Sequence, residues 1–238
     1  MGASAATLLP GLLAAARAEA CLRAIDARYA DPDLRSGGEF HASCSSMRLG
    51  HVAGIDTAAL LATTFGGTLA ALCRRELGAD VACLADECWA RRQYPLAGYP
   101  REHAAHSWHQ DGALGFDFLA FADRPLPPDA LLPMVTCWIA LTPCGDDAPG
   151  LELAGPSRHE LLPLDAVGEA RVRASPEASH GDCPVLAPGD AIVFGGGLLH
   201  RTHVTPAMRR TRTSIELRFV APARVGARLP GRRLLALH

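Results

Sequence analysis

The chain has 238 residues, 49% hydrophobic and 20% charged, with a formal net charge of −2. That balance is that of a folded globular protein rather than a disordered one. It gives no long-range attraction for nucleic acid or an acidic membrane surface, and no stretch approaches the roughly 20 apolar residues of a membrane span.

The opening "MGASAATLLPGLLAAARAEA" is apolar, but it has no basic leader and Pro10 interrupts its apolar run, so it does not read as a signal peptide. The spacing of Leu8, Leu9, Leu12, Leu13 and Ala16 predicts a helix. A second helical run opens at Asp56 as N-cap, carries Leu60, Leu61, Phe65, Leu69 and Leu72, is split by Gly66-Gly67 and ends at Gly78. Residues 1–80 are therefore expected to be mainly helical support. After Gly78 the texture changes to short apolar runs separated by Pro, Gly and Asp, as for strands joined by loops. The clearest strands are Met134–Leu141, Leu151–Leu153, Ala191–Phe194 and Thr213–Val220. The expectation is one domain, with a mainly β core over 81–222 and a tail over 223–238.

No repeat with a period of 20 to 50 residues is present. Gly195-Gly196-Gly197 follows a strand but precedes no amphipathic helix, so it is not a phosphate loop. The eight cysteines form no C-x-x-C pair and no regular spacing, which points to reduced thiols and a cytoplasmic protein.

Chemistry concentrates in "SWHQDGALGFDF". On a strand, residues two apart share a face, so His109 and Asp111 can converge on one atom while Gln110 faces away. An imidazole and a carboxylate so placed are two of the three ligands of a two-His, one-carboxylate ferrous site. His180-Gly181-Asp182 has the same pattern, but it lies in a polar stretch too close to His200 for several strands to intervene, and reads as a solvated loop. His200 closes the set: "APGDAIVFGGGLL" before it reads as a turn, a buried strand and a flexible glycine run. His203, further along, is the outer competitor. An anion anchor follows in "MRRTRTSIELRF", where Arg212 and Ser214 share one strand face and offer a guanidinium fork and a hydroxyl to a carboxylate. All 23 basic residues are arginines, so any such anchor must be a guanidinium. Arg210 lies on the same face and is the second choice.

"WHQDG", "WIALTPCGDDAPGLELAGPSRH", "PGDAIVFGGGLLH" and "RTRTSIELRF" resemble, in order and spacing, the phytanoyl-CoA dioxygenase family of Fe(II)/2-oxoglutarate oxygenases, over roughly residues 85–222. The resemblance implies a double-stranded β-helix, a cupin-like jelly roll with the helices packed outside. It implies Fe(II) held by His109, Asp111 and His200, and 2-oxoglutarate tethered by Arg212, with O2 as co-substrate. Thr202 and Gln93 match positions that often lie near 2-oxoglutarate, and Trp138 matches a strand tryptophan with an equal reading as a core ring. The stretch "APGLELAGPSRH" departs from the family's usual Asn-Gly-Pro-Leu. The N-terminus is short for the family, so the pocket cover is expected to be reduced or borrowed from a second subunit. Asp111 argues against halogenation, which replaces that ligand with a small residue.

The activity implied is hydroxylation of an unactivated C–H of a small metabolite or natural-product intermediate, by a monomer or homodimer that binds neither nucleic acid nor membrane. Desaturation, cyclisation and epimerisation begin with the same hydrogen abstraction. A cupin-like metal-binding or sensory protein without turnover is the reading from another class, but it has no need of the Arg212 and Ser214 anchor. His103 and His106 read as solvated loop residues and Asp146-Asp147 as a hairpin tip; Arg91 and Arg92 flank a strand and read first as surface residues, with one of them able to face the pocket instead. Trp108 reads equally as pocket mouth or core. Loops 95–107 and 112–133 are the expected selectors of substrate.

Overall fold

The computed structural model describes residues 6–35, 40–168, 172 and 181–237. Its strands are β1 (Thr7–Leu9), β2 (Phe40–His41), β3 (Ser46–Arg48), β4 (Ala82–Leu84), β5 (Trp89–Gln93), β6 (Met134–Ala140), β7 (Gly150–Ala154), β8 (Ala191–Gly195), β9 (Leu199–His203), β10 (Arg212–Val220) and β11 (Leu234–Ala236). The longer helices are α1 (Ala15–Ala30), α2 (Thr57–Thr64) and α3 (Gly67–Leu77).

The large antiparallel sheet runs β1-β8-β6-β10-β5-β3-β2, with β4 beside the far end of β10 and β11 on β4. The small sheet pairs β7 with β9. Together they form a jelly roll, the double-stranded β-helix, with a helical layer outside.

The alternation of β10 explains the layering. Ile215, Leu217 and Phe219 point outward into a core shared with Ile25 of α1, Leu60 of α2 and Leu69 and Cys73 of α3, each large side chain contributing about 1.5–3 kcal/mol through burial. Val135, Cys137 and Ile139 of β6 and Val193 of β8 join the same cluster. The opposite residues of β10, Arg212, Ser214, Glu216 and Arg218, are buried on the inner face, because strand side chains alternate. There the space between the sheets is divided. Trp138, Ile192 and Phe194 close one part with Leu151 and Leu153 of β7, and the polar residues line the other.

The helical signals are met at α2 and α3. Asp56 Oδ1 accepts a hydrogen bond from the Ala58 amide at 2.9 Å, Gly66 separates the two helices, and Gly78 ends α3 with φ +94°. Leu8 and Leu9 are a correction, since they lie in β1, not a helix. Leu9 pairs with Ala191 at the open edge of β8, and Gly11 turns the chain at φ +61° while its amide donates to Asp190 Oδ1 at 2.8 Å. Edge hydrogen bonds outweigh the weak helical preference of a stretch ended by Pro10-Gly11. Beyond residue 222, β11 adds a strand to the sheet. Among the described residues no helix is long and apolar enough to cross a membrane, and all eight cysteines are free.

Candidate active site

The two histidines are brought together by their own backbones. His109 and His200 exchange both amide hydrogen bonds, at 2.9 and 3.0 Å, in a single antiparallel bridge, and their ring centroids lie 4.2 Å apart. This corrects the expected strand over 109–111, since pairing stops after His109 and Asp111 begins a 3-10 turn. Gln110 faces away as expected, donating to the Glu160 and Gly197 carbonyls and accepting from the Leu162 amide, which staples the following loop to the bridge.

Close backbone approach makes the turn possible. A Cβ on Gly112 would lie 2.9 Å from the Leu132 carbonyl oxygen and 3.0 Å from that of Gly196, and one on Gly197 would lie 1.9 Å from the Arg158 carbonyl oxygen. The glycine run before His200, expected to be flexible, is instead tightly packed, and His200 sits inside strand β9 rather than on a loop.

His109 Nε2 lies 3.8 Å, and His200 Nε2 4.0 Å, from Asp111 Oδ1, and ligand atoms of the three residues all lie within 4.8 Å of one another. Each imidazole faces a carbonyl through Nδ1: His109 donates to Ser107 at 2.7 Å and His200 to Leu198 at 3.0 Å. That tautomer leaves both Nε2 lone pairs turned inward. Burial foremost, with the neighbouring His200 ring, pushes His109 down to about 3, so it is a neutral donor at physiological pH. Burial would raise the Asp111 carboxyl, but Arg218 above all, then both histidines and the Thr136 hydroxyl, hold it well below the usual carboxylate range. Arg218 donates to Oδ1 at 3.0 Å and Thr136 to Oδ2 at 2.6 Å. These two are register partners on β10 and β6, so one rung of the large sheet fixes the carboxylate.

Further along β10, Arg212 is buried and its guanidinium lies 4.8 Å over the Trp138 ring. It donates to Ser214 Oγ at 3.1 Å, yet its Nε has no partner, and among the described residues it forms no ion pair. Burial foremost lowers it from 12.5 to about 10. A buried guanidinium with an orphaned donor calls for an anion from outside the chain. Gln93, opposite Arg212 in register, donates to Tyr99 Oη at 3.1 Å and to His103 Nε2 at 2.7 Å. Thr202 is buried on β9, and both Gln93 and Thr202 line the same pocket as the trio and Arg212.

Other expectations separate here. His203 turns to Glu152 and away from the trio. Arg210 is exposed and paired with Asp147 at 2.8 Å, leaving Arg212 as the inner guanidinium. His180 lies outside the described residues. His103 and His106 are corrections, because neither is a solvated loop residue. His103 is buried against Tyr94 and Tyr99. His106 receives a hydrogen bond from Arg91 at 3.1 Å and packs on His109, and burial foremost, with the Arg91 charge, pushes it down to about 2. Of the two arginines that flank the strand, Arg91 is the one that faces inward rather than the surface: it lines the pocket and pairs with Glu216 at 2.5 Å. Arg92 does face outward, over Tyr29 and against Asp26. Trp108 belongs to the core, packed with Ala154 and Leu199. Glu216, Arg218 and Thr136 were missed, although the period-two pattern that places Arg212 and Ser214 on one face places Glu216 and Arg218 there as well.

The sequence profile of the phytanoyl-CoA dioxygenase (PhyH) family matches residues 6–211. No curated protein matches the sequence. Among solved structures, the chain is similar to EctD from S. alaskensis, solved with 2-oxoglutarate and 5-hydroxyectoine, with TM-score 0.67 and 18% identity over 92% of this chain and 73% of that one. AviO1 from Streptomyces viridochromogenes Tue57 gives TM-score 0.62 and 22% identity over 93% and 92%. The α-ketoglutarate-dependent non-heme epimerase SnoN from nogalamycin biosynthesis gives TM-score 0.58 and 16% identity over 98% and 88%. At these identities the likeness is one of fold.

Proposed function

Starting from the fact that the chain belongs to the phytanoyl-CoA dioxygenase family of Fe(II)/2-oxoglutarate oxygenases, we propose that it hydroxylates an unactivated C–H of a small metabolite or natural-product intermediate. The observation that carries this reading is Arg212, a buried guanidinium with an unpartnered Nε on the same inner strand face as the Asp111 anchor Arg218. A protein that only bound a metal would have no use for that isolated cation.

His109, Asp111 and His200 would hold Fe(II), a donor set of two neutral imidazoles and one carboxylate that suits a ferrous ion and leaves positions open. Arg212, with Ser214, would hold the distal carboxylate of 2-oxoglutarate. Gln93 and Thr202 flank that end. When bound, iron, 2-oxoglutarate and O2 supply the oxidising power for the C–H bond, releasing succinate and CO2. The charges at the site close: a divalent cation, the Asp111 carboxylate, a dianion and Arg212 sum to zero, while around them Arg91 pairs with Glu216, Arg218 with Asp111 and Arg232 with Glu87. That balance lets the ensemble be buried without an uncompensated charge.

The protein's own contribution is placement. The His109–His200 bridge fixes both imidazoles, the Arg218–Thr136 rung fixes the carboxylate, and Trp138 and Phe194 keep one wall apolar. Anaerobic addition of Fe(II) and 2-oxoglutarate should give the visible charge-transfer absorption of a chelated complex. His200→Ala and Arg212→Ala should lose it, and Arg210→Ala should keep it. Absence of the band in the parent protein would remove this reading. Product analysis after a screen of small metabolites for succinate release separates hydroxylation from desaturation, cyclisation and epimerisation.

A further inference from the structure

We propose that Glu152, Cys183 and His203 form a second metal site, on the outer face of the small sheet, that takes one zinc ion or a similarly thiophilic divalent cation. On β9, His200 and Thr202 line the pocket, so alternation turns Arg201 and His203 to the other side. On β7, Leu151 and Leu153 point inward and Glu152 outward. The third element arrives through the backbone: Asp182 pairs with Leu153, amide to carbonyl in both directions at 3.0 Å. Cys183 is thereby laid along one edge of β7 while β9 occupies the other. Glu152 stands between them.

One ligand atom from each of the three residues lies within 4.8 Å of the others, and His203 Nδ1 is 3.7 Å from Glu152 Oε2. A thiolate, an imidazole and a carboxylate are the donors of a zinc site with three protein ligands and a water in the fourth position. The thiol sets this site apart from the trio in the pocket, whose nitrogen and oxygen donors suit harder iron.

Two neighbours shape the site. Arg201 holds Oε2 through Nε at 2.6 Å and stacks 4.7 Å over Trp108, which fixes the carboxylate. Gly181 leaves room on the other side, since a Cβ there would sit 2.8 Å from Oε1. The carboxylate is thus held through Oε2, the oxygen nearest His203, with Oε1 lying against Gly181, much as Arg218 holds Oδ1 of Asp111, the oxygen nearest the two inner histidines. An ion here would tie three chain segments together behind the strand that carries His200.

Cobalt(II) is the probe that separates the two sites, because only a cysteine-ligated site gives a thiolate-to-cobalt charge-transfer band in the near ultraviolet. Titration of the whole protein should give that band, and in His200→Ala, which lacks the inner site, it should saturate at one equivalent. It should persist in His200→Ala and in Cys44→Ser, which removes the thiol that lines the inner pocket, and vanish in Cys183→Ser. Independently of any cysteine variant, zinc(II) should slow alkylation of Cys183 by iodoacetamide at least 10-fold, read by peptide mass spectrometry, with the protection lost in His203→Ala. Absence of the band, its survival in Cys183→Ser, or alkylation of Cys183 unaffected by zinc would each overturn the proposal.

Discussion

Replacing Arg212 with Met should make the ligand-free protein more stable while it destroys co-substrate binding. The guanidinium is buried without a protein anion, and its lowering from 12.5 to about 10 corresponds, at about 1.4 kcal/mol for each unit, to a cost of about 3 kcal/mol. Because the folded-state value is depressed for a base, the cost is present in full at neutral pH. It fades only as pH rises through about 10, where the folded state sheds its proton first. Met keeps an unbranched stem over Trp138 and removes the charge. At about 2–4 °C per kcal/mol for a chain of this size, the melting temperature should rise by up to roughly 10 °C in the absence of 2-oxoglutarate. With Fe(II) and 2-oxoglutarate present, the parent should be stabilised further and the variant should not respond. Loss of a buried charge partner costs about 2–5 kcal/mol of binding, or roughly 30-fold to several thousand-fold in affinity. Anaerobic thermal melts with and without 2-oxoglutarate read both effects. A ligand-free Met variant that melts several degrees lower than the parent would refute the reasoning, for Arg212 would then be part of the structural charge network rather than a cation held in wait for a ligand.

Arg218→Met removes the donor from Asp111 Oδ1; Fe(II) affinity should fall about 10- to 100-fold, and equilibrium binding that shows no change would assign the carboxylate's orientation to Thr136 alone. Acid lability should set in early. His109 and His106 are held at about 3 and about 2, so below pH 6.5 the unfolded chain takes up protons that the folded one refuses. Stability of the apoprotein should then fall by up to about 2 kcal/mol through His106 by pH 5, and by less through His109, whose side chain is 34% accessible. His106→Gln should recover more than half of that loss in melts across pH, and an equally acid-labile variant would clear His106 of the effect. Gly197→Ala drives a methyl group into the Arg158 carbonyl oxygen; it should destabilise by about 1–3 kcal/mol or more and weaken iron binding, since the turn that delivers His200 must shift. Normal iron affinity in a folded Gly197→Ala protein would show that the turn has slack.

Local chemistry made much of the molecule legible in its sequence. The cap at Asp56, the break at Gly66-Gly67 and the stop at Gly78 are decided by backbone groups within a few residues, and all three hold. Strand alternation in "RTSIELRF" assigned Arg212 and Ser214 to one face, because a side-chain period of two survives whatever the strand packs against. The H-x-D pattern with a distant His named the three side chains that meet.

Tertiary structure decided the rest, for reasons that no single segment contains. His109 and Asp111 meet not as a strand face but through one bridge to His200 and a turn seated on Gly112 and Gly196. Leu8 and Leu9 became strand because β8 had an edge to fill. The hidden roles of Arg91, His106, Glu216 and Arg218 depend on which charges share the interior, and a charge can be buried only where an opposite one from another strand arrives beside it. Sequence therefore determined which groups were available and which way each strand would turn them, while the folded chain chose their partners, because the electrostatic terms that settle that choice act between residues far apart in the chain.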